Sequence, residues 1–219
     1  MDTRAVADLR SLAGRDTELA ERADRLRALD AQVSSIRTRA ETIDAFLAGY
    51  PAEKSRRREA VEAAQAELDR RRGERDEAER DLAAARDAET RARAEAIASR
   101  ARDHVAVAQA TLDRAAAAAE ELERDATSLP EEVPLLHTRA RAVAGATEHV
   151  PEPPQDVREL VDWASHAHAE LFVAAGQIDV QRERVIREAN ELASMLLGEP
   201  TYGSTVAQLA ERVFPLAGE

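Results

Sequence analysis

Residues 156–197 read DVRELVDWASHAHAELFVAAGQIDVQRERVIREANELASMLL, and the spacing of their apolar side chains decides the fold. Val157, Ala164, Leu171, Ile178, Val185 and Leu192 recur at every seventh residue. Leu160, Ala167 and Ala174 fall between them, and the row then runs on through Gln181, Glu188 and Met195. A third row carries Val161, His168, Ala175, Arg182, Ala189 and Leu196. A seven-residue apolar repeat keeps one stripe in line along an α-helix, whereas a strand alternates every second residue. The expected packing seam is Val157, Leu160, Ala164, Leu171, Ile178, Val185 and Leu192. The stripe is wider than a two-stranded seam, so the helix should pack between two neighbours. Asp156 suits its N-cap, with Glu159 placed for a capping box, and Gly198 suits the position just past its end.

The rest of the chain follows the same rule. Among 219 residues there are only 8 glycines and 8 prolines, aromatic residues make up 3%, and about a fifth of the chain is alanine. Abundant Ala, Glu, Arg and Leu with few breakers is the composition of long helices. Leu26, Leu29, Val33, Ile36, Ala40, Ile43, Leu47 and Tyr50 alternate at spacings of three and four. So do Ala108, Leu112, Ala115, Ala119, Leu122, Ala126 and Leu129, while residues 69–95 hold only Leu82 and alanines as seam candidates. The stretch AGYP (48–51) reads as a helix stop and restart, with Pro51 at a first helical position. No proline follows until Pro130, so a single helix from Ala52 to Leu129 would be roughly 115 Å long, with Gly73 its weak point.

These signals predict an all-α protein: an elongated antiparallel coiled-coil hairpin or helical bundle with one very long central helix and a short C-terminal helix. The expected divisions are a hairpin over 1–129 (helices near 3–48 and 52–128), a short helix and Pro-rich connector over 130–155, and a unit over 156–219. That unit holds the heptad helix at 156–197 and a short helix near 205–214. Alanine seams bury little area per residue, so association with a second copy is expected to add the missing burial, as a dimer.

One stretch imitates a nucleotide-binding loop. Residues 198–205, GEPTYGST, match the glycine spacing of a phosphate loop but place Ser204 where the lysine belongs. A phosphate loop also follows a strand, and none is expected here. The residues read better as a corner: Gly198 ends a helix, Pro200 forbids its continuation, and Thr205 with Gln208 caps a new one. Its apolar stripe is Val206, Leu209, Ala210 and Val213.

Chemistry-bearing constellations are sparse. There is no cysteine, hence no disulfide framework and no thiolate nucleophile or zinc ligand. His166 and His168 lie two residues apart, about 200° around a helix, and cannot share one ion. Adjacent carboxylates such as those in DEAERD (76–81) read as a solvated face with i,i+4 pairs. No catalytic, cofactor-binding or metal-ligating residue is assigned, and no small-molecule substrate is expected. Trp163 is expected to pack rather than to anchor a partner.

The net charge is −12, and residues 129–219 carry 7 basic against 15 acidic side chains. Lys54 is the only lysine, a bias that fits a GC-rich bacterial genome. Two arginine-rich stretches remain, and they supply the candidate contacts to an anionic partner: Lys54, Arg56, Arg57 and Arg58 beside the expected hairpin tip, and Arg70, Arg71 and Arg72. The N-terminus has no secretory apolar segment and no run is long enough to span a bilayer, so a cytoplasmic location is expected. The Ala/Arg/Glu pattern resembles the arms of chromosome-segregation ATPases, and its length and helicity are similar to membrane-remodelling hairpins of the phage-shock type and to BAR-like bundles. The resemblance implies helical architecture and carries no functional residue across. The expected function is a non-enzymatic scaffold or adaptor acting on an unknown protein partner. The alternative is a binder of a membrane or nucleic acid through the arginine-rich tip.

Overall fold

A computed structural model describes residues 2–217. Five α-helices and a 3-10 turn account for nearly all of them, with no strand among the described residues. They are α1 (Thr3–Ala84), α2 (Ala88–Glu131), α3 (Val133–Ala146), α4 (Val157–Leu197) and α5 (Val206–Val213), followed by the turn Pro215–Ala217. The chain divides into two compact units. One comprises Met1–Glu41 with Pro134–Glu219, and the other Thr42–Val133.

The very long helix exists, but it is the first in the chain and it does not stop at Pro51. α1 runs for 82 residues with Pro51 inside it. A proline in a helix interior removes one backbone hydrogen bond and crowds the preceding turn, at about 3 kcal/mol. Four side-chain contacts surround the gap. The Phe46 and Tyr50 rings lie 5.8 Å apart, and Lys54 Nζ donates to the Tyr50 hydroxyl at 3.0 Å. Both Tyr50 and Lys54 then reach Glu123 of α2, each at 2.8 Å. Pro51 itself is exposed, on the side of a helix where a missing bond is best tolerated.

The turn expected at Pro51 instead falls at residues 85–87, within the stretch whose seam was poorest. Asp87 makes it. Its backbone is extended (φ −111°, ψ 163°), its Oδ1 accepts from the Thr90 amide at 2.8 Å and its Oδ2 from the Thr90 hydroxyl at 2.6 Å. Glu89 adds negative charge in the first turn of α2, where the helix dipole favours it. The weak seam at 69–95 was the approach to a turn.

In the second unit, α1 beyond Thr42 therefore pairs with α2. Lys54 meets Glu123, Arg72 donates to Gln109 at 3.3 Å, and Glu79 meets Arg102 at 3.4 Å. Rising numbers on one helix meet falling numbers on the other, so the pair is antiparallel. Its buried side chains among the described residues are few and mostly alanine: Ile43, Ala64, Leu68, Ala78, Ala98 and Ala108.

In the first unit, the opening part of α1 pairs with α4. Asp16 accepts from Arg182 at 2.7 Å, Arg27 meets Asp179 at 2.7 Å, and Asp30 meets His168 at 2.5 Å. This order is again antiparallel. The seam residues Leu26, Val33, Ile36 and Ala40 are thus buried in this unit and not against residues 52–90, as the expected hairpin required. On α4 the heptad rows hold where they are unbroken. Leu160, Ala164, Leu171, Ile178 and Val185 are buried, while Val157 and Leu192 at the two ends are half-buried. Trp163 is buried too, and its indole N–H donates to the Pro151 carbonyl at 2.8 Å, tying the proline-rich connector to α4.

The corner at 198–205 folds as its residues dictate. Gly198 takes the left-handed conformation (φ 70°) past the end of α4, and Gly203 takes another (φ 84°). Thr205 caps α5 in a complete capping box with Gln208. At α4, Asp156 accepts from the Arg158 amide at 2.7 Å, one residue earlier than a capping box would use. α5 then turns its apolar stripe inward. Val206, Leu209 and Val213 join Val6 and Leu9 of α1 and Ala189 and Ala193 of α4 in one cluster. The start of α1, the end of α4 and α5 thereby share one core.

Three substitutions test this description. Pro51→Ala should restore the missing bond and stabilise the protein by roughly 2 kcal/mol, after allowing for the freer unfolded chain. Guanidinium unfolding measures it, and a variant no more stable than the parent would contradict an interior proline. Gly198→Ala forces a β-carbon into a left-handed turn and should cost about 1 kcal/mol. Gly73→Ala, in open helix, should gain about as much.

Candidate interaction surfaces

The basic residues singled out from the sequence lie along the middle of the second unit's α1 stretch, away from the turn at 85–87. Each has an acidic partner. Lys54 pairs with Glu123, Arg56 and Arg57 with Glu53, and Arg58 with Glu62. Arg70 and Arg71 share Glu67 and Glu74, and Arg72 meets Asp69. The spacing of three and four that builds a helix also places each carboxylate one turn from its arginine. The result is an alternating surface rather than a basic patch.

Two of these networks perturb their acids. Glu67 accepts from Arg70 at 2.7 Å and from Arg71 at 2.7 Å, and these bonds hold its carboxyl down to about 2. Glu123 is held below the usual carboxylate range by Lys54 and then Tyr50, and Lys54 is raised by Glu123 and then Tyr50.

The histidines do not converge. His168 faces Asp30 across to α1, whereas His166 faces Glu170 at 3.9 Å on its own helix. No cluster of three metal-ligating side chains occurs among the described residues. The hollows are open surface clefts. One of about 590 Å³ lies between Arg22 and Leu29 of α1 and residues 145–149, and one of about 410 Å³ lies beside the turn at 85–87. No helix among the described residues is long and apolar enough to cross a membrane.

The corner network is the most buried polar feature. Thr201 donates to the Asn190 carbonyl at 2.9 Å and contacts the Ser194 hydroxyl at 2.9 Å. The Asn190 amide donates to the carbonyls of Ile186 (2.8 Å) and Ser204 (3.2 Å). All of these links except the Ile186 bond run between the end of α4 and the corner, so the network fixes where α5 begins. It places no lysine and no row of backbone amides around a phosphate-sized space.

What the sequence reading passed over is the outer face of α4. Ala169, Phe172, Val173, Gly176 and Val180 are all exposed, Phe172 at 70% and Val173 and Val180 at about half. The excess width of the apolar pattern implies two neighbours in a bundle. Its spacing was the available signal: 169, 173, 176 and 180 alternate by four and three, as a second seam must.

Set against protein-family models, curated proteins and solved structures, the chain matches none. Its class therefore rests on its own geometry: an all-α protein built on one very long helix, with ion-paired helix surfaces and an apolar stripe left on the outside of α4.

The acid titration of Glu67 gives a prediction. A carboxyl lowered by folding stabilises the native state above its ordinary value of 4.5, and this contribution is lost as pH falls toward about 2. Glu67→Gln should therefore melt below the parent at pH 7, and the difference should vanish by about pH 2. An equal gap at both pH values would mean that Glu67 acts through packing.

Proposed function

We propose that the protein is a non-enzymatic helical scaffold or adaptor of the cytoplasm, acting through helix–helix contacts and working as a dimer. The observation that carries this reading is the apolar stripe on the outside of α4. A soluble helix normally turns such a row toward a core, and exposed rows of this kind mark contact with another chain. The open clefts support the same reading. Acid–base chemistry needs a partly dry pocket that holds a reacting group, and the clefts described above are open to solvent.

The arginine-rich stretches supply the competing reading, attraction to an anionic polymer or bilayer. It is the weaker one. Binding to phosphates is driven by cations that exchange counterions for phosphate contacts, and each of these cations would first leave a carboxylate, one turn away for the arginines and on α2 for Lys54.

The test is capture from an extract of the native host by the immobilised full chain, compared with Phe172→Asp. A defined set of proteins should be retained by the parent and lost from the variant, with far-UV circular dichroism unchanged. Identical capture by both, or salt-sensitive retention of nucleic acid or anionic vesicles that ignores Phe172, would overturn the reading.

A further inference from the structure

Gly176 has no explanation inside the chain. Glycine is the least favourable residue in a helix interior after proline. A β-carbon built there would meet nothing within 4 Å, and the backbone stays in an ordinary helical conformation. Packing within the chain therefore gives no reason to leave out a side chain. A glycine on an exposed, otherwise apolar helix face does serve one purpose: it lets a second helix approach closely.

Along the same outward stripe, in chain order, stand Asp162, His166, Ala169, Val173, Gly176, Val180, Glu183 and Arg187. The centre is apolar or small, the N-terminal end carries Asp162 and the C-terminal end carries Arg187. We propose that the occupant of this face is a second copy of α4, running antiparallel about a twofold axis midway between Val173 and Gly176. This rests on the scaffold reading above and names its dimer contact.

The sequence of the stripe is complementary to its own reverse. Val173 of one copy then lies on Gly176 of the other, filling the space its missing side chain leaves. Ala169 lies opposite Val180, again small against large. His166 faces Glu183, and Asp162 faces Arg187. A twofold axis makes each contact twice. Neither Asp162 nor Arg187 has an ion pair among the described residues, so both are available for the contact. The parallel alternative would set Asp162 against Asp162 and Arg187 against Arg187, and like charges at both ends disfavour it. From Asp162 to Arg187 the contact runs about 37 Å along the helix.

The experiment is sedimentation equilibrium on the full chain and six variants, each checked for helicity. The parent should dimerise. Asp162→Arg alone and Arg187→Asp alone should each weaken the dimer about tenfold, because each sets like charges opposite one another twice. The two together should restore affinity to within about threefold. Gly176→Leu should weaken dimerisation while leaving the monomer as helical as the parent. Two cysteine variants use the absence of cysteine from the chain. Gly176→Cys should give an oxidised disulfide dimer, which Asp162→Cys should not, its two copies lying about 37 Å apart. A monomer at every concentration overturns the proposal. So does a dimer indifferent to both charge reversals, or a crosslink through Asp162→Cys. After either of the last two outcomes, capture of another protein that depends on Phe172 would leave the scaffold reading standing, whereas a monomer that still captured it would leave the scaffold without its dimer.

Discussion

A proline can sit inside a helix only if its neighbours hold the turn that it weakens. Tyr50 and Lys54 do so by closing on one carboxylate, Glu123, that belongs to another helix. The rest of the topology follows from the helix running on through Pro51. Because α1 continues past Pro51, the chain cannot fold back there. It carries its direction on to Asp87, where a side chain at last offers the free amides of a new helix an acceptor. The first half of α1 is then left for α4 and the second for α2. The continuation of α1 past Pro51 thus decides which helices become partners in both units.

The two units are held by different means. In the unit of α1 and α2, the interior is mostly alanine, with Ile43 and Leu68 as its large side chains. Close approach of backbones and rows of surface ion pairs have to supply what bulk does not. Exposed ion pairs are individually weak and screened by salt. The unit containing α4 buries Leu160, Leu171, Ile178 and Trp163, and closes its end with the cluster around Leu9 and Leu209. It relies on apolar burial, which salt does not screen.

How much of this was legible depends on what kind of signal each element carries. The heptad rows from Leu160 to Val185 specified α4 because repetition averages over local exceptions. The corner at 198–205 was legible because glycine, proline and a capping pair act through the backbone within a few residues. The first turn was not. Pro51 is a strong local signal, and reading it alone gave the wrong boundary, since what overrides it is a tertiary contact with a residue more than seventy positions away. The true turn carries no glycine or proline, only the cap Asp87 followed by Glu89 and Thr90. The arginine-rich stretches were correctly located in sequence, but their carboxylate partners and their distance from the turn depend on the same misplaced boundary. The outer face of α4 was visible as surplus apolar residues, and periodicity alone does not say whether a face meets its own chain or another.

The latch between Trp163 and the Pro151 carbonyl has a consequence for how the molecule is observed. The chain has a single tryptophan, and it lies in the unit of α3, α4 and α5. Its indole emission therefore reports on the connector and the start of α4, while backbone circular dichroism sums over every helix. The pair of α1 and α2 is silent in tryptophan fluorescence, so a gap between the two readouts during unfolding measures how independently the two halves of α1 come apart.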